Sequence, residues 1–257
     1  MKPTMQGREK TERNEMVFGV RAVIEAIEAG KSIDKIFLKN DTTGELAKEL
    51  TALSKQYGIP LQRVPLEKLN RLTRKNHQGV VAFISPVAYQ DVEEVLTRAF
   101  EAGRSPLLLV LDGITDTRNF GAIARTADCA GFDGLLLPER GSVSITPEAI
   151  KTSAGALFHV PVSRCRNMLD TVRLLKAMGL QIVGATEKTT DRYTECDFRK
   201  PTAIVMGAED TGISPQVLRE CDALATIPIL GTISSLNVSV AAGVMAYEAV
   251  RQRLQNQ

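Results

Sequence analysis

Between residues 106 and 229 the chain returns five times to a short apolar run in which polar residues do not alternate: LLLVLD (107–112), GLLLP (134–138), QIVGAT (181–186), TAIVMG (202–207) and LATIPI (224–229). A strand with one wet face alternates apolar and polar residues. A run that is apolar throughout needs cover on both faces, as parallel strands have. The segments between the runs carry helical spacing: FGAIARTADCAG, TPEAIKTSAGAL, NMLDTVRLLKAMG, PQVLREC and finally SLNVSVAAGVMAYEAVRQRL. Strand alternating with helix predicts an α/β domain, a parallel sheet with helices on both sides. Ligands of such sheets gather at the carboxyl ends of the strands, so the loops after Asp112, Gly207 and Ile229 are the places to search for a site.

Upstream lies a smaller α/β pattern. VRAVIEAIEAG reads as a helix ended by Gly30, KIFLK (35–39) as a strand, and GELAKELTALSKQYG as a helix closed by Gly58. LQRVP (61–65) reads as a short strand, LEKLNRLT as a short helix and GVVAFIS (79–85) as a strand. The expected division is a leader at 1–15, a small α/β module at 16–88, a linker at 89–105 and the larger domain at 106–257. The leader lacks the apolar stretch of a secretory signal, and no apolar run is long enough to span a bilayer. A cytoplasmic protein without a membrane partner is the expectation.

The net charge of +2 does not announce a nucleic-acid binder. One basic cluster stands out, Arg63, Lys68, Arg71, Arg74 and Lys75, opposed only by Glu67. It reads either as a solvated face or as a set of RNA phosphate contacts. The 4 cysteines are scattered and there are only 2 histidines, so no zinc spacing exists and no metal is expected; reduced, mostly buried thiols are. A G-x-G-x-x-G turn is absent, which disfavours a dehydrogenase. GAEDTGIS (207–214) has the glycine spacing of a P-loop, but Ile213 stands where the lysine must be, so Walker-type nucleotide hydrolysis is disfavoured too.

Three loops concentrate polar groups. In DGITDTRNFGAIARTADCAG (112–131), Asn119 can cap a helix or meet a ligand, and Arg125 can be a ligand clamp or the partner of Asp128 in a surface ion pair. In MGAEDTGIS (206–214), Gly207 and Gly212 permit close backbone approach, and Glu209 is either a site group or a solvated acid. In IPILGTISSLNVSVAAG (227–243), Ser234 or Ser235 suits the N-cap of the last helix, yet Ser235, Asn237 and Ser239 exceed what one cap needs. A helix N-terminus there would also favour an anionic group.

Taken in order, LDGITDTRNFGAIARTADCAG, IVMGAEDTGIS and IPILGTISSLNVSVAAGVMAYEAVRQ resemble the three motifs of the SpoU family of RNA 2'-O-ribose methyltransferases, within the SPOUT class. VFGVRAVIEAI and NHQGVVAFIS resemble the substrate-binding domain of many SpoU enzymes, itself similar to kink-turn-binding ribosomal proteins. The resemblance implies a C-terminal α/β domain with a trefoil knot, preceded by a small α/β RNA-binding domain. It implies S-adenosylmethionine as methyl donor, held by Gly207, Ile227 and Leu236 with Thr186 as a weaker contact. It implies Arg125 as the catalytic arginine and Asn119, Glu209, Ser235 and Asn237 as the other polar site positions. It also implies a homodimer across the knotted domain, with Arg125 able to reach the partner's site. The two-domain layout is most similar to members that modify a guanosine of 23S ribosomal RNA. The alternatives are a tRNA ribose methyltransferase and a catalytically silent RNA-binding or ribosome-assembly protein.

Overall fold

The computed structural model describes residues 15–255; the expected leader, apart from its last residue, lies outside them. The chain builds two sheets. The first takes β1 (Met16–Phe18), β2 (Ile33–Lys39), β3 (Leu61–Val64) and β4 (Val80–Ile84) in the order β1-β4-β2-β3. β2 and β3 run parallel, and β4 is antiparallel to β2 and β1. β1 was not anticipated, because only four residues separate the leader from the next helix. Helices α1 (Val20–Glu28) and α2 (Glu45–Gln56) cover one face, where Val23, Ile24 and Leu50 pack on Ile36, Leu38 and Ala82. The short α3 (Leu66–Leu72) covers the other, over Phe37, Val64 and Val81. Gly30 and Gly58 follow the first two helices at φ 72 and 63, the left-handed values that end a helix and favour glycine.

The second sheet is wholly parallel, in the order β10-β8-β9-β5-β6-β7. Its strands are β5 (Leu107–Asp112), β6 (Gly134–Pro138), β7 (Val162–Cys165), β8 (Gln181–Ala185), β9 (Thr202–Gly207) and β10 (Ala223–Ala225). β5 explains the unbroken apolar runs. Leu107, Leu109 and Leu111 face α5 (Thr117–Cys129) and α9 (Val238–Leu254). Leu108 and Val110 face α4 (Val92–Glu101), α7 (Met168–Ala177) and α8 (Pro215–Glu220). Both sides are dry, so neither tolerates a polar residue.

Four expectations need correction. Residues 89–105, whose helical pattern reads as a linker or as the last element of the small module, hold α4, capped by the Asp91 carboxylate, with Val92 and Leu96 packed into the larger core. β7 was missed because Ser163 and Arg164 interrupt its apolar character. β10 stops at Ala225 rather than Ile229, since from Thr226 the chain leaves β8 and bonds instead to Asp191 O and Tyr193 N–H. Only Cys165 of the four thiols is buried, and Cys129 is exposed. All four are free, and burial pushes the Cys165 and Cys221 thiols up to about 11, which leaves both protonated. Among the described residues no helix is long and apolar enough to cross a membrane.

Candidate active site

β5 and β9 lie side by side at the point where the order of the parallel sheet reverses. The chains leaving their carboxyl ends diverge, and a crevice opens between them. A pocket of about 210 Å³ occupies it, walled by Gly113, Ile114 and Asn119 on one side and Ala208, Glu209 and Val238 on the other.

Each wall is fixed locally. On the β5 side, Asp116 caps α5: its carboxylate accepts from the backbone N–H groups of Arg118 and Asn119 at 2.9 and 2.8 Å. The cap leaves the Asn119 side chain free to turn inward. Asp112, at the end of β5, accepts from Ser214 N–H at 2.8 Å and ties the two walls together. On the β9 side the chain doubles back at once, with Ala208 and Gly212 exchanging backbone hydrogen bonds of 3.1 and 2.8 Å. Gly212 sits at φ 70. Gly207 is glycine for a steric reason: a Cβ there would stand 2.1 Å from the backbone carbon of Gly212 and from the nitrogen of Ile213. That tight return lifts Glu209 over the crevice.

The third wall comes from α9. Its N-cap is Asn237, not Ser234 or Ser235. The Asn237 Oδ1 accepts from Ser239 N–H at 2.9 Å and from the Ser239 hydroxyl at 2.6 Å, which leaves the amide nitrogen pointing outward. That nitrogen donates to Glu209 Oε1 and to Asn119 Oδ1, each at 3.0 Å. Asn119 Nδ2 donates to the same Glu209 oxygen at 2.9 Å. Two asparagine amides, from the starts of α5 and α9, thus converge on one oxygen of the Glu209 carboxylate. Among the described residues Glu209 Oε2 accepts no hydrogen bond, so the cluster keeps one acceptor for an incoming O–H or N–H group.

The remaining expected residues lie apart from this cluster. Ser235 is exposed in the loop before α9 and joins none of these bonds, because the cap it was expected to make belongs to Asn237. Arg125 is exposed on α5 and makes no ion pair with Asp128 or any other described residue; Arg118 pairs with Glu148 instead, at 3.5 Å. Thr186 follows β8 and donates its backbone N–H to Ala225 O at 3.0 Å. From β10 the chain runs through Ile227 and the exposed Leu230, Ile233 and Leu236 to Asn237, the residue that joins the crevice cluster. Leu230 is 98% and Ile233 75% exposed, apolar surface that invites a ligand or a partner. Sequence reasoning missed Asp112 and Asp116. The order D-T-R-N before an apolar helical period is an N-cap signal that could have found Asp116. Among the described residues no His, Cys, Asp or Glu group could hold a metal ion.

The likeness to known proteins runs over nearly the whole chain. Residues 106–247 match the model of the SpoU rRNA Methylase family, and residues 16–90 match the RNA 2'-O ribose methyltransferase substrate binding model. YacO of Bacillus subtilis (strain 168), whose name places it in the TrmH family of tRNA/rRNA methyltransferases, is 35% identical over 243 residues, 95% of this chain and 98% of that one. The AdoMet-bound rRNA methyltransferase of Sinorhizobium meliloti superposes with a TM-score of 0.58 at 28% identity, covering 93% of this chain and 87% of that one. The SpoU methyltransferase AviRb of Streptomyces viridochromogenes, in complex with the cofactor AdoMet, gives a TM-score of 0.60 at 27% identity, covering 97% and 95%. With the family match running through the β5, β9 and α9 walls of the crevice, this chain belongs to the SpoU rRNA methylase family.

Proposed function

We propose that this protein is an S-adenosylmethionine-dependent RNA methyltransferase that modifies a ribose 2'-hydroxyl, with a guanosine of 23S ribosomal RNA as its target. The observation that carries the reading is the convergence of Asn119 and Asn237 on one carboxylate oxygen of Glu209 at the switch point of the sheet. The cofactor's surroundings fit as well: the segment between β10 and α9 exposes the apolar Leu230, Ile233 and Leu236, which an adenosyl group would cover. Gly207, Ile227, Leu236 and Thr186 are the residues that would hold it. When bound, S-adenosylmethionine supplies a methyl group on a positively charged sulfur.

Methyl transfer is an in-line displacement, so the acceptor oxygen must be aimed and stripped of water. Alignment of this kind is worth roughly 7–11 kcal/mol over free reactants. The Asn119–Glu209–Asn237 cluster suits the aiming, since its free carboxylate oxygen can accept from a ribose hydroxyl. Ser235 lies close enough in sequence to join when its loop closes on a ligand. A guanidinium offers donors and no acceptor, so the role of Arg125 is to clamp a phosphate or the developing oxyanion, and the proton leaves to phosphate or water. The knot that the family resemblance implies falls in the segments 186–237 that would hold the cofactor. A homodimer suits the exposed Val240, Tyr247 and Leu254, which recur every seven residues along α9.

The small module supplies the RNA grip. Lys68 stands over the Phe37 ring at 4.6 Å and Lys75 over Phe18 at 5.5 Å, while Lys35 sits near Phe83 at 5.4 Å. Arg63 is partly engaged, donating to the backbone oxygens of Asn40 and Thr42 at 2.8 and 3.3 Å. Arg74 and Lys75 line a cavity of about 550 Å³ with Lys39 and His77. Arg71 is exposed beside them. Neutralising Arg71, Arg74 and Lys75 together is expected to weaken RNA binding at least tenfold and to lower the salt-dependence slope by about 2, near 0.7–0.9 per lost phosphate contact. Titration at several salt concentrations measures it, and unchanged affinity removes these residues from the interface.

The ribosomal substrate is favoured by the two-module layout, shared over most of this chain with the Sinorhizobium rRNA methyltransferase. The direct test is incubation with labelled S-adenosylmethionine and RNA from a strain lacking the protein, followed by mapping of methylated riboses. Label on a 23S guanosine is the expected result. Label on transfer RNA alone would shift the target, and label on neither would leave a binding-only protein.

A further inference from the structure

The two sheets are joined by a buried ion pair that the crevice chemistry does not use. Asp34 lies in β2 at a register shift between Ile33 and Lys35, and a bulge of this kind re-aims a side chain out of the ladder. The Asp34 side chain is fully buried, and the Arg164 side chain, from β7 of the other sheet, is 8% exposed. Arg164 Nη1 donates to the Asp34 backbone oxygen at 2.7 Å and Nη2 to Asp34 Oδ1 at 2.8 Å. The Tyr89 hydroxyl donates to the same Oδ1 at 2.7 Å, and the guanidinium lies 4.3 Å from the centre of the Tyr89 ring. Burial pushes the Tyr89 phenol upward, which keeps it a donor. Tyr89 itself is bridged to Val162 at the edge of the larger sheet. One residue along β2, Lys35 Nζ donates to Ser144 Oγ at 2.8 Å.

The clamp leads toward the crevice. Arg164 Nη2 also approaches Val143 O at 3.5 Å, and Val143 N–H donates to Ile114 O at 2.9 Å. Ile114 walls the methyl-transfer pocket. The pair is not optimised as glue, because Asp34 Oδ2 and Arg164 Nε are buried without partners among the described residues. A buried pair with unmet hydrogen bonds repays its desolvation poorly, and an apolar contact would hold two surfaces together as well. What such a pair does provide is a single geometry.

We infer that Arg164, with Asp34 and Tyr89, is a positioning device that fixes the RNA-gripping sheet at one distance and angle from the methyl-transfer pocket. The inference rests on the RNA methyltransferase reading for its consequence and on the clamp geometry for its existence. RNA held by the small module then meets the pocket as the second half of one rigid surface. With the clamp broken, the module still holds RNA but presents it over many orientations, and the effective concentration of the target ribose falls.

The test uses the full-length protein. Arg164→Met is expected to lengthen the particle in small-angle X-ray scattering and to raise KM for RNA from a strain lacking the protein about tenfold, with kcat reduced less than threefold. S-adenosylmethionine affinity is expected to stay at the wild-type value. A merely misfolded fraction would lower kcat at unchanged KM. The paired replacement Asp34→Leu with Arg164→Met removes the stranded charge and is expected to bring scattering back toward wild type while KM stays raised, because an apolar contact joins the sheets without fixing their angle. Should Arg164→Met prove insoluble, Tyr89→Phe decides, with an expected KM rise of about threefold from one lost hydrogen bond. Compact scattering and wild-type KM in the soluble variant overturn the proposal. If the wild-type protein labels no RNA, the substrate reading fails on its own, and scattering still decides the clamp.

Discussion

Replacing Gly207 with Ala is expected to abolish S-adenosylmethionine binding and to lower the unfolding temperature by roughly 6–12 °C. The new Cβ would lie 2.1 Å from two backbone atoms and 2.6 Å from a third, the Gly212 oxygen. Backbone cannot swing aside as the end of a flexible side chain can. Either β9 shifts, which disturbs its pairing with both β5 and β8, or the Ala208–Gly212 bridge opens. Overpacking of this severity costs about 3 kcal/mol or more, and each kcal/mol moves the midpoint of a protein of this size about 2–4 °C. The cheaper route is opening of the bridge, which would carry Glu209 away from Asn119 and Asn237 and dismantle the pocket at the same time. Calorimetry of cofactor binding and thermal unfolding read the two effects separately. A variant with native affinity and native midpoint would remove Gly207 as the keystone of the return. Gly212→Ala is the milder companion, since it meets no atoms and bears only the strain of φ 70.

Gly207 also marks where the sequence could be read and where it could not. As a residue type after a buried strand it pointed to close backbone approach, and the direction of that approach came only with the Gly212 contact. The five apolar runs were legible because burial on both faces leaves no room for polar residues. β7 was illegible for the opposite reason: its Arg164 is neutralised by Asp34, 130 residues away, and nothing near it in sequence announces the partner. The polar residues of the crevice were legible as types in three loops. Their meeting was not, because Asn119 is separated from Glu209 by 90 positions and from Asn237 by 118. The cap of α9 was read as Ser234 or Ser235 and is Asn237, a third good N-cap residue in the same stretch. Asn237 combines a carbonyl oxygen for the helix with two amide hydrogens, one for Glu209 and one for Asn119, and a serine hydroxyl has a single hydrogen to donate. The Arg125–Asp128 pair did not form, as an exposed pair gains too little to hold two flexible side chains.

Arg125→Ala is expected to lower kcat/KM for RNA by about 10²–10³-fold, the scale of losing one charge-stabilising donor from a reacting site. S-adenosylmethionine affinity and the unfolding midpoint are expected to stay near wild type, because the side chain is exposed and unpaired among the described residues. Arg125→Lys is expected to recover little, since an ammonium lacks the planar fork that grips a phosphate through two parallel bonds. Near-normal activity in the lysine variant, with a new pH dependence, would sink the clamp and favour a proton-accepting role. The placement of Arg125 sharpens the expectation further. Six residues along α5 from Asn119 carry it about 9 Å along the axis and roughly 120° around, away from the Asn119–Glu209–Asn237 cluster. A guanidinium so placed serves its own crevice poorly and a symmetry-related crevice well, if two copies pack along the exposed stripe of α9. In a symmetric dimer the two possibilities separate cleanly. Mixing equal amounts of Arg125→Ala and Glu209→Ala, each inactive alone, makes half the dimers hybrid. When the arginine acts across the interface, each hybrid has one crevice with both residues intact, and roughly a quarter of wild-type activity returns. When it acts within its own chain, every crevice lacks one of the two and no activity returns.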